Sequence, residues 1–537
     1  MSEPTRTLLQ MVLDGVATNM ATPIATFVDI DAAGELSEES RTYADLLDAG
    51  KRMAGALLAT GMEEGDAFAI IMRNHPEFVE AMVASEIVGT VFVPIDPRTR
   101  GQKLAYMLGF SRCRGAIVSP EVLPHLATVR ASVPDLEWVW VIGQESEQAM
   151  SLDAAIRAAV PQSDAAPRPL ETPMQMLFTS GTTGDPKAIL APHARFAAVA
   201  SLGPVIGLAP GDRLYTGLSL THANAQLITL GNALAGGLPV IISRQFTKSR
   251  LWEILSRYGC TTFNLLGGMA TAIFAEPEGP YDRQHKVRFV LSAGMPASMW
   301  RPFQERFGVD IFEFFGAAEG GLSLNPPGTG PVGSIGKPPL GGICEILDSD
   351  GTILGPGEPG EICFRNADGT VAPVTYFGNP EASAAKTKGG WFRTGDIGWK
   401  DADGWLFFSH RDGQAIRRNG DFIDGRAIET AIAAMPGVAD AYVYGLATPR
   451  NTPGEKEVIA AIVPEKGFDP ATVIPTCASA LGSANVPTYL QIVEAIPKTA
   501  SEKPQDRHLI AMLERNDCEL FDRNGKTQWE KEERIAS

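Results

Sequence analysis

The sequence predicts an α/β protein with a large N-terminal domain and a smaller α+β C-terminal domain, and three observations support this. Short apolar runs alternate with segments of helical spacing over the first two thirds of the chain. Glycine and proline become dense from about Pro331, and a new helix and further strands follow. Such alternation is typical of parallel sheets covered by helices. We therefore expect two α/β lobes and a β unit at about 331–411 within a domain of residues 1–411, then a second domain at 412–537.

At 537 residues the chain is too long for one compact core. The predicted strands of the first domain are Ala67–Met72, Val91–Ile95, Ala116–Ser119, Trp138–Ile142, Leu214–Leu218, Pro239–Ile242, Thr262–Leu266, Phe289–Leu291 and Ile311–Phe314. The predicted helices are Phe78–Val88, Gln102–Leu108, Ala225–Ala235, Lys248–Tyr258 and Ser298–Phe307. We expect no helix from about 331 until one begins near Gly425, and a frayed helix or polar tail from about Glu514.

Composition narrows the class of protein. The net charge of −17 disfavours a nucleic-acid partner and requires any ATP site to be locally basic or to use a metal ion. No apolar run reaches the ~18 residues that span a bilayer, and the N-terminus lacks the pattern of a signal peptide. The six scattered cysteines form no CxxC pair, which is typical of reduced thiols. We expect a cytoplasmic protein with no membrane partner.

The ten residues Phe178–Lys187 (FTSGTTGDPK) form the strongest motif, directly after the predicted strand Met174–Leu177. Glycines let backbone N–H groups approach a ligand closely, and hydroxyl groups with one lysine suit a polyphosphate. The spacing differs from that of the Walker loop. A polar surface turn is the alternative, but we favour a phosphate-binding loop. Its candidate binding residues are Thr179, Ser180, Gly181, Thr182, Thr183, Gly184 and Lys187.

This loop resembles the phosphate-binding signature of the superfamily of acyl- and aryl-CoA synthetases, peptide-synthetase adenylation domains and luciferases. The other signatures follow in the same order over about residues 40–510. Residues 336–490 are most similar to crotonobetaine/carnitine-CoA ligase-type enzymes. The resemblance implies ATP, Mg²⁺ and coenzyme A, and a C-terminal lid that rotates between two half-reactions. It assigns Thr182 and Lys187 to catalysis.

Residues Phe314–Glu319 (FFGAAE) end a predicted strand and form the second motif. The resemblance implies that Glu319, with Thr182, holds the Mg²⁺ that bridges the ATP phosphates, and carboxylates are ligands this cation prefers. Ala318 stands where the family usually has threonine, so a hydrogen bond of about 1–2 kcal/mol to the α-phosphate is missing or supplied elsewhere. A solvated glutamate is the alternative. The remaining residues assigned to the nucleotide are Phe314, Phe315, which lies along the adenine, Gly316, Ala317 and Ala318.

Two motifs near the predicted domain boundary resemble further nucleotide and CoA contacts. Asp396, in WFRTGD, matches the carboxylate that accepts the ribose hydroxyls, with a simple β-turn as the alternative. Arg411, in HRDGQAIRRNG, matches an arginine that contacts ribose or phosphate, although His410 replaces the usual glycine. Gly413 occupies the hinge, where glycine suits large φ/ψ changes. Arg417, Asn419 and Gly420 match a turn that faces pantetheine when the lid rotates. A basic surface hairpin is the alternative for this turn.

Lys503 ends the segment PKTASEK and resembles the lid lysine that bridges the substrate carboxylate and the α-phosphate. A cation there neutralises two anions that must approach each other. Glu502 replaces the usual glycine, and a merely solvated lysine is the alternative.

The acyl pocket is also placed by resemblance. His222 matches a histidine near this pocket, and a purely structural histidine is the alternative. We expect it to position the substrate rather than act as a base, because a carboxylate is already ionised at pH 7. Small residues would enlarge the cavity, although they also occur where strands pack closely. The other predicted pocket residues are Asn224, Gly267, Gly268, Ala293 and the adjoining nucleotide-contacting Gly294.

These motifs predict a ligase that converts a small carboxylic acid, ATP and CoA to acyl-CoA, AMP and diphosphate through an acyl-adenylate. An adenylating enzyme that loads a carrier protein is one alternative. A catalytically silent nucleotide-binding homologue is another, motivated by Ala318, Gly413 and Glu502, and a luciferase-like oxygenase is a third. The identity of the acid and the oligomeric state stay open, with a homodimer as one possibility.

Overall fold

The computed structural model describes residues 6–143, 145–179, 186–411, 416–418, 421–423, 425–447, 456–482, 486–499 and 504–529. The strands before residue 331 are β1 Pro23–Ile30, β2 Leu36–Thr42, β3 Ala67–Ile71, β4 Val91–Pro94, β5 Cys113–Val118, β6 Trp138–Val141, β7 Met150–Ser151, β8 Pro173–Thr179, β9 Lys187–Pro192, β10 Leu214–Thr216, β11 Val240–Ser243, β12 Thr262–Leu266, β13 Phe289–Ala293, β14 Asp310–Gly316 and β15 Leu322–Asn325. The later strands are β16 Gly342–Leu347, β17 Gly360–Asn366, β18 Phe392–Lys400, β19 Leu406–Arg411, β20 Ile416–Arg418, β21 Asp421–Ile423, β22 Val438–Leu446, β23 Glu457–Pro464, β24 Tyr489–Ile492, β25 Glu519–Asp522 and β26 Gly525–Thr527.

The helices cover the sheets and connect their strands. They are α1 Leu8–Asn19, α2 Tyr43–Ala59, α3 Pro76–Val88, α4 Gly101–Phe110, α5 Leu123–Val129, α6 Leu152–Ala158, α7 His193–Ala200, a π-helix Asn224–Gly231, α8 Asn232–Gly236, α9 Leu251–Arg257, α10 Gly267–Phe274, α11 Ala297–Phe307, α12 Pro380–Lys386, α13 Gly425–Ala433, α14 Val473–Leu481 and α15 Asp506–Arg515. Short 3₁₀ segments lie at Pro120–Val122, Arg130–Ser132, Lys248–Arg250, Lys388–Gly390 and Pro470–Thr472.

Two large, mostly parallel sheets form the N-terminal part, as the sequence predicts. The first has the order β7-β6-β5-β3-β4-β8-β9, with only β8 and β9 antiparallel. The second has the order β15-β14-β13-β12-β10-β11-β1-β2, with antiparallel strands at its two edges. All five residues of β3 are buried, because a strand inside a parallel sheet is covered by helices on both faces.

Helices α2 and α3 show how local sequence sets the packing of the first lobe. A capping box between Thr42 and Asp45 begins α2, and such a box satisfies two free backbone donors. Pro76 begins α3, and Gly89 ends it in the left-handed conformation with φ of 87°, as expected for a helix C-terminus. A Cβ on Gly50 of α2 would lie 2.5 Å from a methyl carbon of Val83. The two helices therefore approach closely only because this position is glycine.

Strands β16–β19 form the predicted antiparallel β unit, and β22-β23-β24-β25-β26 form the sheet of the smaller C-terminal part. The predicted boundary between Arg411 and residue 412 stays a prediction, because 412–415 lie outside the described residues. In the described chain, no helix is both long and apolar enough to cross a membrane.

Two expectations from the sequence were wrong. The glycine-rich region contains helix α12, which begins because the Asn379 side chain accepts the N–H of Ala382 and Pro380 supplies a helical φ. The predicted tail instead contains β25 and β26, which extend the last sheet and bury Leu520. The predicted helix Ala225–Ala235 is present, and it begins as a π-helix that continues into α8.

Candidate functional site

The predicted phosphate loop connects two hydrogen-bonded strands. Thr179 ends β8 and lies directly opposite Lys187, the first residue of β9. This pairing fixes both ends of the loop on the sheet. The ammonium group of Lys187 lies 5.3 Å from the centre of the Tyr376 ring, within the range of a cation–π contact. The predicted contacts Ser180, Gly181, Thr182, Thr183 and Gly184 lie outside the described residues.

Tyr376 connects this lysine to the predicted metal ligand. Its hydroxyl group donates to Oε1 of Glu319 at 2.8 Å. Its segment is held against β9 by two backbone bonds, from Phe377 N–H to the Ala188 carbonyl and from Leu190 N–H to the Thr375 carbonyl. Burial and the nearby Glu319 carboxylate raise the pKa of Tyr376, so its hydroxyl stays protonated and keeps donating.

Glu319 occupies a tight turn at the end of β14. Ala317 and Gly320 exchange two backbone hydrogen bonds of 3.1 Å, and Arg195 donates to the Ala317 carbonyl at 2.9 Å. Phe315 stacks on Phe364, with ring centres 6.0 Å apart and planes 13° from parallel. The ring of Phe315, the predicted adenine contact, is thus packed against Phe364 of the β unit.

Asp396 and Arg411 lie opposite each other on β18 and β19. Arg411 donates from Nε to Oδ1 of Asp396 at 2.8 Å and from Nη2 to Oδ2 at 3.3 Å. The Asp396 side chain is only 3% exposed, whereas that of Arg411 is 37% exposed. The two predicted nucleotide contacts therefore form one ion pair.

Lys386, at the end of α12, is a cation that sequence reasoning missed. Its ammonium group donates to the carbonyls of Arg393 and Thr394 at 2.9 and 3.0 Å. Burial lowers its pKa, and the charges of Glu319 and Asp396 act in the opposite direction. Lys386 therefore lies close enough to interact electrostatically with both predicted carboxylates, Glu319 and Asp396.

The predicted acyl pocket brings together the ends of neighbouring elements. Leu266, directly before Gly267 and Gly268 of α10, pairs with Ala293 at the end of β13. Nδ1 of His222 accepts the backbone N–H of Asn224 at 3.2 Å. Burial of the His222 ring lowers its pKa to about 4. The imidazole is therefore neutral at physiological pH. Its role in positioning the substrate, rather than acting as a base, stays a prediction.

Glu313, on β14, is a buried acid with no signal in the sequence motifs. Its carboxylate accepts the N–H of Gly294 at 2.5 Å and that of Met295 at 3.2 Å. Burial raises its pKa to about 7, although these hydrogen bonds act in the opposite direction. The predicted nucleotide contact Gly294 is thus held in place through its backbone by Glu313.

Most predicted residues of the lid fall outside the described parts of the chain. These are Lys503, Gly413, Asn419 and Gly420, as well as Glu502. Arg417 lies on β20, where its backbone pairs with Phe422 of β21, so two paired strands flank the predicted turn. Lys498, five residues before Lys503, forms an ion pair with Asp440.

The donor set around Glu319 fits a magnesium ion. One carboxylate oxygen accepts the Tyr376 hydroxyl. The second oxygen accepts no hydrogen bond from the residues that the structure describes, so it can bind a cation. Mg²⁺ is usually held by one or two carboxylates together with substrate phosphates and water. Among the described residues, no group of three or more His, Cys, Asp or Glu side chains has metal-binding geometry. The described side chains therefore do not form a metal site made of protein ligands alone.

Comparison with sequence families identifies the class of protein. The model of the AMP-binding enzyme family matches residues 20–373, and that of the AMP-binding enzyme C-terminal domain matches residues 427–503. The chain therefore belongs to the AMP-binding enzyme family.

Several characterised proteins are similar over nearly the whole chain. A crotonobetaine/carnitine–CoA ligase of Salmonella choleraesuis is 28% identical, covering 86% of this chain and 91% of that protein. A sulfoacetate–CoA ligase of Cupriavidus necator is 28% identical, covering 88% and 93%. The crystal structure of the anthranilate CoA ligase AuaEII with anthranoyl-AMP superposes with a TM-score of 0.84 at 23% identity, covering 96% and 98%. A benzoate CoA ligase of Burkholderia xenovorans gives 0.79 at 22% identity, covering 94% and 99%. These structures confirm the fold of a large N-terminal and a smaller C-terminal domain.

Proposed function

We propose that this protein is an ATP-dependent carboxylate–CoA ligase that converts an acid, ATP and CoA to acyl-CoA, AMP and diphosphate through an acyl-adenylate. The observation that carries the proposal is the contact chain from Lys187 through Tyr376 to Glu319 at the base of the predicted phosphate loop. The Asp396–Arg411 pair supplies a separate recognition point for the nucleoside. The relatives named above as CoA ligases support the same reaction.

The first half-reaction joins the acid to AMP. The ionised carboxylate of the substrate attacks the α-phosphorus of ATP, a P–O bond forms, and the bond to diphosphate breaks. Lys187 and the hydroxyl loop stabilise the charge on the departing diphosphate. Glu319 and Thr182 would hold a Mg²⁺ ion, which would neutralise charge on the phosphates when bound. Lys503 holds the carboxylate and the α-phosphate together in line.

The second half-reaction transfers the acyl group. The lid rotates about Gly413, withdrawing Lys503 and bringing Arg417, Asn419 and Gly420 towards the pantetheine arm. The CoA thiol gives its proton to water and attacks the acyl carbonyl, a C–S bond forms, and the C–O bond to the phosphate breaks, which releases AMP. His222 positions the acyl group as a neutral imidazole, since burial lowers its pKa to about 4. No covalent enzyme intermediate is needed.

An enzyme that loads a carrier protein is the second candidate function, because the first half-reaction is the same. Free CoA is favoured by the relatives, whose names specify CoA as the acceptor. A cytoplasmic location is part of the proposal, since all six cysteines are unpaired.

A panel of carboxylic acids, assayed for CoA-dependent AMP release, tests the proposal. We expect at least one acid to support both diphosphate exchange without CoA and thioester formation with CoA. Exchange without any CoA thioester, together with thioester formation when CoA is replaced in turn by several phosphopantetheinylated carriers, would favour the carrier-loading enzyme. Absence of exchange with every acid, together with no magnesium-dependent ATP binding, would refute the ligase.

A further inference from the structure

A buried chain of polar side chains lies beside the predicted acyl pocket, and the proposed function does not account for it. Thr229 donates from its hydroxyl group to Oδ1 of Asn264 at 2.9 Å. Asn264 in turn donates from Nδ2 to Oδ1 of Asn224 at 2.7 Å. The three residues are 0%, 2% and 6% exposed, respectively. Unpaired polar groups are costly to bury, so a polar chain of this kind needs a reason.

The π-helix is the device that assembles this chain. Asn224 and Thr229 are five residues apart, and both contact the side chain of Asn264 on β12. In an α-helix, residues five apart point about 140° away from each other. In a π-helix the hydrogen bonds join residues i and i+5, which stacks these positions on one face. The wider turn therefore lets two side chains converge on the same asparagine.

The hydrogen bonds of these three side chains all run in one direction, from Thr229 to Asn224, and the last group is a donor. Asn224 uses its amide oxygen to accept from Asn264, which leaves its amide nitrogen as the terminal group. This nitrogen donates to no atom that the structure describes. Asn224 is two residues from His222, whose Nδ1 accepts the Asn224 backbone N–H. The residue that carries the terminal donor is thus joined through its backbone to the histidine assigned to the pocket.

Resting on the proposed ligase function, we propose that the substrate acid carries a second oxygen acceptor, a hydroxyl or a ketone, that takes the free N–H of Asn224. Asn224 offers an uncharged donor, and His222, which accepts its backbone N–H, is neutral above about pH 4. A neutral oxygen satisfies Asn224 without leaving an unpaired buried ion. A purely aliphatic acid would leave the amide nitrogen unpaired, and such sites discriminate against analogues that lack the polar atom.

Pairs of acids that differ only in one oxygen test the inference. Pentanoate against 4-oxopentanoate, hexanoate against 5-oxohexanoate, and butanoate against 4-hydroxybutanoate span several distances from the reacting carboxylate. We expect the oxygen-bearing acid of at least one pair to have a kcat/KM about tenfold higher, the effect of one buried hydrogen bond. In Asn224→Leu this ratio should fall to about one, and in Thr229→Val it should fall in part.

Asn232→Ala is the matched control, because Asn232 is equally buried but donates to the carbonyls of Val199 and Ile228. It should leave the ratio unchanged, and ATP binding by each variant shows that it folds. Preference for the aliphatic acid in every pair, or a ratio that Asn224→Leu leaves intact, would overturn the inference while the ligase stands. Failure of all acids in diphosphate exchange would instead count against the ligase itself.

Discussion

The carboxylate of Asp396 is held at both oxygens by Arg411 across the β18–β19 pair, at 2.8 and 3.3 Å. The carboxylate is almost buried, while the arginine reaches solvent. A two-point ion pair of this kind fixes the direction of the carboxylate before any ligand binds. Residues fifteen positions apart in the chain thereby act as one recognition unit.

Asp396→Ala should raise the KM for ATP by about tenfold or more, because charge-assisted hydrogen bonds are worth about 1.5–3 kcal/mol each. The measurement is diphosphate exchange as a function of ATP concentration. Arg393→Gln is a suitable control, since Arg393 lies on the same strand as Asp396 and forms an ion pair with Glu361 of β17. This variant should leave the KM for ATP near that of the unmodified enzyme. An unchanged KM in Asp396→Ala would remove this residue from the ribose site.

Lys503→Ala should abolish adenylation but leave thioester formation from a supplied acyl-adenylate. The reason is that the lysine is needed only while two anions are brought together. Single-turnover assays of each half-reaction separate the two effects. Lys498→Ala provides the control, because Lys498 lies in the same segment as Lys503 but forms an ion pair with Asp440. This variant should affect neither half-reaction strongly. Equal loss of both steps in Lys503→Ala would contradict the lid role.

Tyr376→Phe should increase the magnesium concentration needed for half-maximal ATP binding by roughly three- to tenfold, the value of one hydrogen bond that orients Glu319. Binding of a fluorescent ATP analogue at varied Mg²⁺ gives this readout without turnover. Tyr444→Phe removes a comparable buried hydroxyl that donates to Gln491, and it should leave the magnesium dependence as it was. The same shift in both variants would indicate a general loss of stability instead.

His222→Asn should weaken the loss of stability that occurs on acidification. Burial lowers the pKa of His222 from 6.5 to about 4. Between these pH values the imidazole is protonated in the unfolded chain but neutral in the folded chain. The stability contribution is therefore complete above pH 6.5 and is lost as the pH falls towards 4. Urea unfolding at several pH values between 7 and 4.5 measures the slope. A slope identical to that of the unmodified protein would show that the ring titrates freely.

Glu313→Gln should have the opposite signature. Burial raises the pKa of Glu313 from 4.5 to about 7, so the unfolded chain releases this proton more readily than the folded chain. The contribution to stability is therefore present below pH 4.5 and is lost as the pH rises to about 7. The variant should flatten that part of the unfolding profile. It should also disturb the Gly294 backbone, seen as a higher KM for ATP, and an unaltered profile would refute the assignment.

Most of the fold could be predicted because its signals are local. The apolar runs at β3 and β12 and the terminal residues of α3 are encoded by neighbouring positions. The exceptions have physical causes. Helix α12 is short and has no buried residue, so no apolar stripe marks it. Strands β25 and β26 are polar at several positions and are ordered by pairing with β24.

The sequence by itself indicated the class of chemistry through its resemblance to a known superfamily, because the motifs that carry this resemblance are runs of consecutive residues. The tertiary structure alone decided which side chains meet. It joined Lys187 to Glu319 through Tyr376, and it joined Asn224 to Asn264 through a π-helix. Contacts between residues 40 to 190 positions apart depend on how whole sheets and helices pack, and no periodicity along the chain encodes that packing.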